Sequence, residues 1–203
     1  MSDTHDSFWQ TLFQRRSIRR FRPEPLPATL LQRLLTAAIW APSAHNRQPW
    51  RFAVLTTSEA KHALARAMAA RWQEDLQAAG LGPDAIAARL QRSTWRITTP
   101  PALVLGSITL QEMDVYDDAA LQQAEALMAT QSLSLALGNL MLAAWREGVG
   151  SCWICAPLFA SDAVRQVLHL PHSWQPQALI ALGYPAETKT STRKPLSEVV
   201  TWL

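Results

Sequence analysis

One segment, residues 117–147, constrains the fold more than any other part of the chain. It contains no proline and a single glycine, and it predicts a continuous helix about 45 Å long, longer than a small domain is wide. Between Ala124 and Trp145, apolar residues occupy almost every side, which is typical of a helix buried in a core or an interface. Its length favours a central helix that two subunits share.

The rest of the chain alternates apolar runs with amphipathic ones. Helices are predicted over residues 8–14, 28–40, 58–78, 84–92 and 161–168, and strands over residues 50–56, 102–108, 151–155 and 177–183. Ser58 is the predicted N-cap of the third helix, because its hydroxyl can accept a free first-turn N–H. No repeat, low-complexity tract or linker divides the chain, so we expect one domain over residues 1–203.

Composition narrows the class of protein. Charged residues make up 17% of the chain, against about 25% in an average soluble domain. With nine Trp, this suggests that much surface is hidden in a partner or around a ligand. No apolar run reaches about 18 residues, the length that spans a membrane, and residues 1–14 lack the apolar stretch of a secretory signal. Cys152 and Cys155, three apart, cannot form a disulfide framework, so we expect a cytoplasmic protein without a membrane partner.

A basic segment lies near the N-terminus. In an extended chain Arg15, Ser17 and Arg19 share one face, so they can converge on an anion such as a phosphate, and Arg193 could complete the cage. The alternative is a basic helix end that interacts with its own dipole. Five Arg between residues 15 and 22 could also bind nucleic acid. No recognition motif, zinc ligand set or base-stacking pattern accompanies them, so we expect no nucleic-acid partner.

A second candidate segment is the loop of residues 42–50, between a predicted helix and a predicted strand. It is rich in hydrogen-bonding side chains, and such loops carry function more often than their share. Ser43 and Asn46 can donate to and accept from the polar edge of a heteroaromatic ring. The alternative is a helix C-terminus closed by ordinary turn residues.

A third segment, residues 148–154, is an apolar strand flanked by glycines, whose N–H groups could face a flat ring. It contains a C-x-x-C pair, Cys152 and Cys155. A thioredoxin-like site needs its first Cys at a helix N-terminus, whereas these residues are predicted within a strand. A single pair also argues against zinc. A thiol-redox protein remains as an alternative.

Several catalytic signatures are absent from the sequence. There is no G-x-G-x-x-G after a strand, no P-loop, no G-x-S-x-G and no H-E-x-x-H. A Rossmann dinucleotide domain is therefore not expected, nor is a metal site or a general-base dyad.

Taken in order, these blocks resemble the FMN-dependent nitroreductase family. The resemblance rests on R-R-S-I-R-R-F at residues 15–21, A-P-S-x-x-N-x-Q-P-W-x-F at residues 41–52, the long apolar helix and G-V-G-S-C-W-I at residues 148–154. The last of these, with L-F-x-x-D-x-V-R at residues 158–165, is most similar to the branch with the flavin-binding domain of the coenzyme F420 biosynthesis ligase. The resemblance implies an α+β sandwich, a mainly antiparallel central sheet flanked by helices, and an intertwined homodimer with FMN at its interface.

The resemblance also implies roles for individual residues. Arg15, Ser17 and Arg193 would hold the FMN phosphate, and Arg19 would lie near the pyrimidine edge of the ring. The backbone N–H of Cys155 would point at flavin N5, where many members have an acidic residue followed by Gly instead of Cys155 and Ala156. The full set of expected cofactor-binding residues is Arg15, Arg16, Ser17, Arg19, Pro42, Ser43, Ala44, Asn46, Gln48, Trp153, Ile154, Cys155, Ala156 and Arg193.

The function that the resemblance implies is NAD(P)H-dependent reduction of an electron-poor acceptor, such as a nitroaromatic or a quinone, by a ping-pong hydride mechanism. FMN would carry the chemistry, with NAD(P)H as co-substrate. The alternatives are a reductase for an F420-type precursor and a flavin-binding protein without reductase turnover. Residues 61–96 match the family least, and they are the expected substrate cover.

Overall fold

The fold is built on one antiparallel sheet. A computed structural model describes residues 3–203, with side chains from residue 8 onward, so Met1 and Ser2 lie outside the described residues. The strands are β1 (Trp50–Leu55), β2 (Ala102–Ile108), β3 (Gly150–Ile154) and β4 (Gln175–Gly183). Their order in the sheet is β1-β2-β4-β3, with every pair antiparallel, so β1 and β3 form the two edges.

Seven helices surround the sheet in the described part of the chain. They are α1 (Asp3–Gln14), α2 (Ala28–Ile39), α3 (Ser58–Ala78), α4 (Pro83–Thr98), α5 (Ala119–Arg146), α6 (Ala156–Phe159) and α7 (Ser161–Val167). Most predicted bounds agree within two residues, but α4 continues six residues beyond its predicted end. The predicted N-cap was wrong: Thr57 caps α3, and its hydroxyl accepts from the N–H of Ala60 at 3.3 Å.

Both faces of the sheet are covered, because alternate residues of each strand point to opposite sides. On β2, Val104 and Ile108 pack into a cluster with α2 and α5, whereas Leu103 and Leu105 pack into a second cluster with α3, α4 and α7. The central strands are therefore buried on both faces, which explains why they read as continuous apolar runs. The predicted α+β sandwich with a mainly antiparallel sheet is confirmed.

The long helix α5 lies close to the middle of β2. A side chain at Gly106 would place its Cβ 2.9 Å from Leu137 Cδ1, so the glycine allows the helix to approach the sheet. Residues 133, 137, 140 and 144 of α5 are buried. Its 28 residues give a length of about 42 Å.

One face of α5 is exposed in the single chain, so the core of this chain covers only part of the apolar surface that the sequence predicts to be buried in a core or an interface. Leu121, Leu127 and Leu135 each expose half or more of their surface. By length and composition alone α5 could cross a membrane, contrary to the sequence-based expectation, although a buried core helix passes the same test. Here α5 packs against α2 and against all four strands. The predicted sharing of this helix between two subunits remains a prediction.

Candidate functional site

The basic segment of residues 15–22 runs along the β3 edge of the sheet. The N–H of Ile18 donates to the carbonyl of Ser151 at 2.9 Å, and Ser17 forms a parallel bridge with Ser151. Ile18 is buried against Gly150, where an added Cβ would lie 2.9 Å from Ile18 Cβ. The extended conformation in which alternate residues share a face is therefore held by backbone pairing and by the apolar side chain between the arginines.

The segment after β4 clamps the same stretch from the other end of the chain. Glu187 Oε1 accepts from the N–H of Arg19 at 2.8 Å and from the N–H of Arg20 at 3.2 Å, and its other oxygen pairs with Lys189 at 3.2 Å. Burial by itself would raise the pKa of Glu187, but these hydrogen bonds and the charge of Lys189 outweigh it and lower the pKa. Sequence reasoning missed Glu187, because nothing in its neighbourhood marks it as a partner of residues so far away.

Arg15 provides the clearest sign of a missing ligand. Its Nη1 is buried without a hydrogen-bond partner in the described structure. Burial lowers the pKa of Arg15, and the charges of Arg193 and Arg16 lower it further. The charge of Arg193 thus acts on Arg15, and the predicted sharing of one anion by the two residues stays a prediction. A buried guanidinium N–H without an acceptor costs free energy, and an anion between Arg15 and Arg193 would remove that cost.

Arg16 behaves differently from Arg15. Its Nη1 donates to the carbonyl of Phe13 at 2.5 Å and to the carbonyl of Arg15 at 2.8 Å. These bonds satisfy a carbonyl at the C-terminus of α1, as basic side chains often do. The geometry of its Nη1 favours the alternative of a helix-end arginine. Its Nε is nevertheless buried without a hydrogen-bond partner, as Nη1 of Arg15 is, and its expected role with the cofactor stays a prediction.

A cavity of about 830 Å³ opens beside the end of β3. Five of the expected cofactor residues line it: Arg19, Trp153, Ile154, Cys155 and Ala156. The opposite wall comes from α3 and α4 and includes Trp72, Arg92 and Arg96. That wall belongs to the segment that the sequence analysis could assign no residues to, because a surface helix with several arginines is typical of many proteins.

The two cysteines lie in different environments. Cys152 is buried, and burial raises the pKa of its thiol, although the charges of Arg19 and Arg96 partly oppose the rise. Cys155 is exposed, and its sulfur accepts from Trp153 Nε1 at 3.1 Å. Cys155 was predicted within the strand, but β3 ends at Ile154 and Cys155 precedes the four-residue helix α6. A buried thiol with a raised pKa is a poor nucleophile, which weakens the thiol-redox alternative.

The loop of residues 42–48 is tightly held within the chain. The N–H of Gln48 donates to Ser43 Oγ at 3.1 Å, and the N–H of Ala44 donates to Ser132 Oγ on α5 at 3.2 Å. Asn46 and Gln48 both have positive φ, near 54° and 51°. Non-glycine residues seldom adopt this conformation, and such backbones cluster at functional sites. The loop thus has the hydrogen bonds of an ordinary turn after a helix, as the alternative interpretation expects, and it also has this unusual backbone.

The loop does not reach the cavity in this chain. None of the expected residues Pro42, Ser43, Ala44, Asn46 and Gln48 lines it. The loop leads into β1 at one edge of the sheet, whereas the cavity adjoins β3 at the other edge. Both lie at the same end of the sheet, because Trp50 aligns with Ile108 and Gln175. Three strand spacings, about 14 Å, separate the edges.

No cluster of His, Cys, Asp and Glu able to hold a metal ion occurs among the described residues. Asp114 pairs with Arg47 Nη2 at 2.7 Å. Glu112 pairs with Arg51 at 2.6 Å. These pairs hold the segment after β2 to the start of β1.

The chain belongs to the nitroreductase family, whose sequence model matches residues 12–184. A relative from Thermus thermophilus named NADH dehydrogenase is 35% identical over 198 residues, which are 93% of this chain and 92% of the relative. The family part of the resemblance seen in the sequence is confirmed.

Solved structures agree in fold. A BluB-like flavoprotein from Clostridium difficile 630 superposes with a TM-score of 0.79 at 25% identity, covering 96% of this chain and 98% of that one. A protein from Desulfovibrio desulfuricans, described as a nitroreductase in complex with FMN, superposes with a TM-score of 0.74 at 25% identity, covering 97% and 96%.

Proposed function

We propose that this chain is an FMN-dependent oxidoreductase that uses NAD(P)H to reduce an electron-poor acceptor such as a nitroaromatic or a quinone. Its family and its relatives, which include a protein named NADH dehydrogenase, support this activity. The observation in the structure that carries the proposal is the buried, unpaired Nη1 of Arg15 beside the cavity-lining segment of Arg19. Together they offer an anion site next to a space for a flat ring.

The residues present fit the phosphate and the ring of FMN. Arg15, Arg193 and the hydroxyl of Ser17 would hold the phosphate, since Arg guanidinium groups match phosphate oxygens. Arg19 would place a positive charge beside the ring edge where negative charge develops, as an oxyanion hole does. Trp153, Ile154 and the backbone of Cys155 would line the ring.

Bound FMN supplies hydride transfer, accepting two electrons from NAD(P)H and passing them to the acceptor. For a nitroaromatic, one NAD(P)H and one proton convert the nitro group to a nitroso group and release one water. Donor and acceptor would occupy the same cavity in turn. The protein's own residues bind and orient these molecules, and no acid–base dyad is required of them.

We also propose that a second copy of the chain completes the site. Within one chain the sheet separates residues 42–48 from the cavity, so a neighbouring subunit is the simplest source of Ser43 and Asn46. The exposed leucines of α5 and the exposed tail residues Trp202 and Leu203 provide apolar surface for such a contact. On this proposal each subunit is a single unit of residues 1–203, and the cytoplasm is the expected compartment.

The assignment to the F420-related branch remains a finer proposal. Residues 158–165, which suggested it, lie mainly in α7, where Arg165 pairs with Asp162 at 2.7 Å and Val164 is buried. Asp162, Val164 and Arg165 thus stabilise the helix, whereas Phe159 and Ala160 of the same stretch line the cavity. Neither group of residues identifies a substrate.

The decisive experiment is an anaerobic titration of the purified protein with NADPH, recorded in the visible spectrum. Yellow protein whose flavin bands bleach supports the proposed activity. Yellow protein that NADPH and NADH both fail to bleach would favour a flavin-binding role without reductase turnover. Colourless protein that cannot be loaded with FMN would overturn the proposal. Faster turnover of an F420-type precursor than of any nitro compound would favour the branch-specific alternative.

A further inference from the structure

The wall that α4 contributes to the cavity is strongly basic. Arg89, Arg92 and Arg96 all line the cavity. Their spacing of three and then four residues puts them on one face of the helix. Arg19 lies on the same cavity from the opposite side. Because Arg19 and Arg96 both act on the buried thiol of Cys152, charges from the two sides meet near that residue.

This positive charge is not neutralised within the chain. The three α4 arginines are exposed and have no hydrogen bond or ion pair in the described structure. Asp75 is the one carboxylate in the described lining, and it is already paired with Arg71 Nη1 at 2.9 Å. A basic cavity whose one lining carboxylate is already paired attracts anions and raises their local concentration.

The same cavity contains surfaces for a flat ring. Trp72 on α3 and Phe159 on α6 line it together with Trp153. Aromatic side chains pack against planar ligands, and arginines stack on rings or bind carboxylates with two parallel hydrogen bonds. The volume of about 830 Å³ lies within the range of small-molecule sites. Ring surfaces and anion donors are thus close neighbours.

We propose that the arginine face of α4, formed by Arg89, Arg92 and Arg96, selects an electron acceptor that carries an anionic group on or beside its reducible ring. The inference rests on the proposed oxidoreductase activity and names the class of acceptor. A compact anionic aromatic fits best, because the charge and the ring are recognised inside one cavity. In NADPH, by contrast, the 2′-phosphate is separated from the nicotinamide by two riboses and a pyrophosphate.

The test compares 4-nitrobenzoate with its neutral analogue 4-nitrobenzamide, as the ratio of their kcat/KM values with the FMN-loaded protein. The wild type is expected to prefer the carboxylate. In an Arg92→Gln/Arg96→Gln double variant we expect that preference to fall by about tenfold or more, because the loss of one charge-assisted hydrogen bond changes affinity by about that factor. Arg66→Gln is the matched control, an exposed arginine on α3 outside the cavity lining, and it keeps the wild-type ratio.

Two results would overturn the proposal. One is a ratio that the double variant leaves unchanged. In the other, the double variant loses preference for NADPH over NADH, while the ratio of kcat/KM for 4-nitrobenzoate to that for 4-nitrobenzamide stays constant. That result would assign the arginines to the 2′-phosphate of the donor.

Calorimetric titration with the same two compounds gives their Kd ratio without turnover. If neither compound is reduced and NADPH does not bleach the flavin, the proposed activity fails. A Kd ratio that falls in the double variant would still support anion recognition by α4, and an unchanged ratio would overturn it.

Discussion

The backbone N–H of Arg19 donates to Glu187 Oε1 at 2.8 Å, joining residues 168 positions apart in sequence. This bond fixes the backbone of the basic segment while the Arg19 side chain lines the cavity. Arg20 and Lys189 also bind the same carboxylate. The N-terminal segment is therefore held in place by the residues that follow the last strand.

Replacing Glu187 with Gln is expected to lower the thermal midpoint of unfolding near neutral pH. The pKa of Glu187 is lower in the folded protein than its ordinary value of 4.5. Its stabilising effect is thus complete above that value and is lost as pH falls through the folded pKa. The difference between wild type and Glu187→Gln should shrink below about pH 4.5. Melting curves from pH 7 to pH 3 measure this difference in thermal midpoint. The exposed Glu198→Gln is the control. A difference that does not depend on pH would contradict the stabilising role of the Glu187 carboxylate.

Replacing Arg15 with Met is expected to separate stability from cofactor binding. In the flavin-free protein the change removes a partly buried, unpaired guanidinium and its repulsion from Arg193. The thermal midpoint should therefore stay the same or rise. The affinity for FMN should fall by about tenfold or more, because a charge-assisted phosphate contact is lost. Fluorescence titration with FMN and melting curves measure both effects. Arg20→Met, in the same segment, is the control, and a variant that retains FMN like wild type would contradict the role of Arg15.

Replacing Ser132 with Ala is expected to loosen the loop of residues 42–48. Ser132 Oγ donates to the carbonyl of Met128 and also accepts from the N–H of Ala44. Ser134 makes the same bond to a carbonyl four residues earlier but receives none from the loop. Ser132→Ala should cost about 1 kcal/mol, the usual net value of such a bond. It should also raise amide exchange in the loop, whereas Ser134→Ala should do neither. Equal exchange in the two variants would refute the coupling of loop and helix.

Mixing two inactive variants tests whether a second copy completes the site. Arg15→Ala removes one half of the proposed site, and Ser43→Ala/Asn46→Ala alters the other. If the two halves come from different subunits, a mixed dimer has one site with both halves intact and one with neither. Co-expression of the two chains should then restore up to half of the wild-type FMN content per dimer. If all the residues act within one chain, the mixed sample stays as poor in FMN as its parents.

Much of the local structure follows directly from the sequence. Ala102–Ile108 is apolar except for Ser107 and β-branched in part, and α3 and β2 have the bounds that the sequence predicts. The extended conformation of residues 17 and 18, which the sequence analysis took only as a condition for Arg15, Ser17 and Arg19 to share a face, depends on their backbone pairing with Ser151. Local signals set the helix bounds. At the start of α3, however, Thr57 is the cap instead of the predicted Ser58, because two adjacent hydroxyls compete for the same N–H groups.

The sequence by itself determined the elements, the family and which residues carry charge or hydrogen-bonding groups. Only the tertiary structure decided which of those groups are satisfied and which remain free. Arg15 and Arg16 are adjacent and chemically identical, yet only Arg16 places its Nη1 on a carbonyl at the end of α1, whereas the Nη1 of Arg15 stays buried and unpaired. Likewise, only the strand order puts residues 42–48 at the edge away from the cavity and places the arginines of α4 beside Trp153. Such pairings depend on contacts between residues far apart in the chain, which local propensity does not encode.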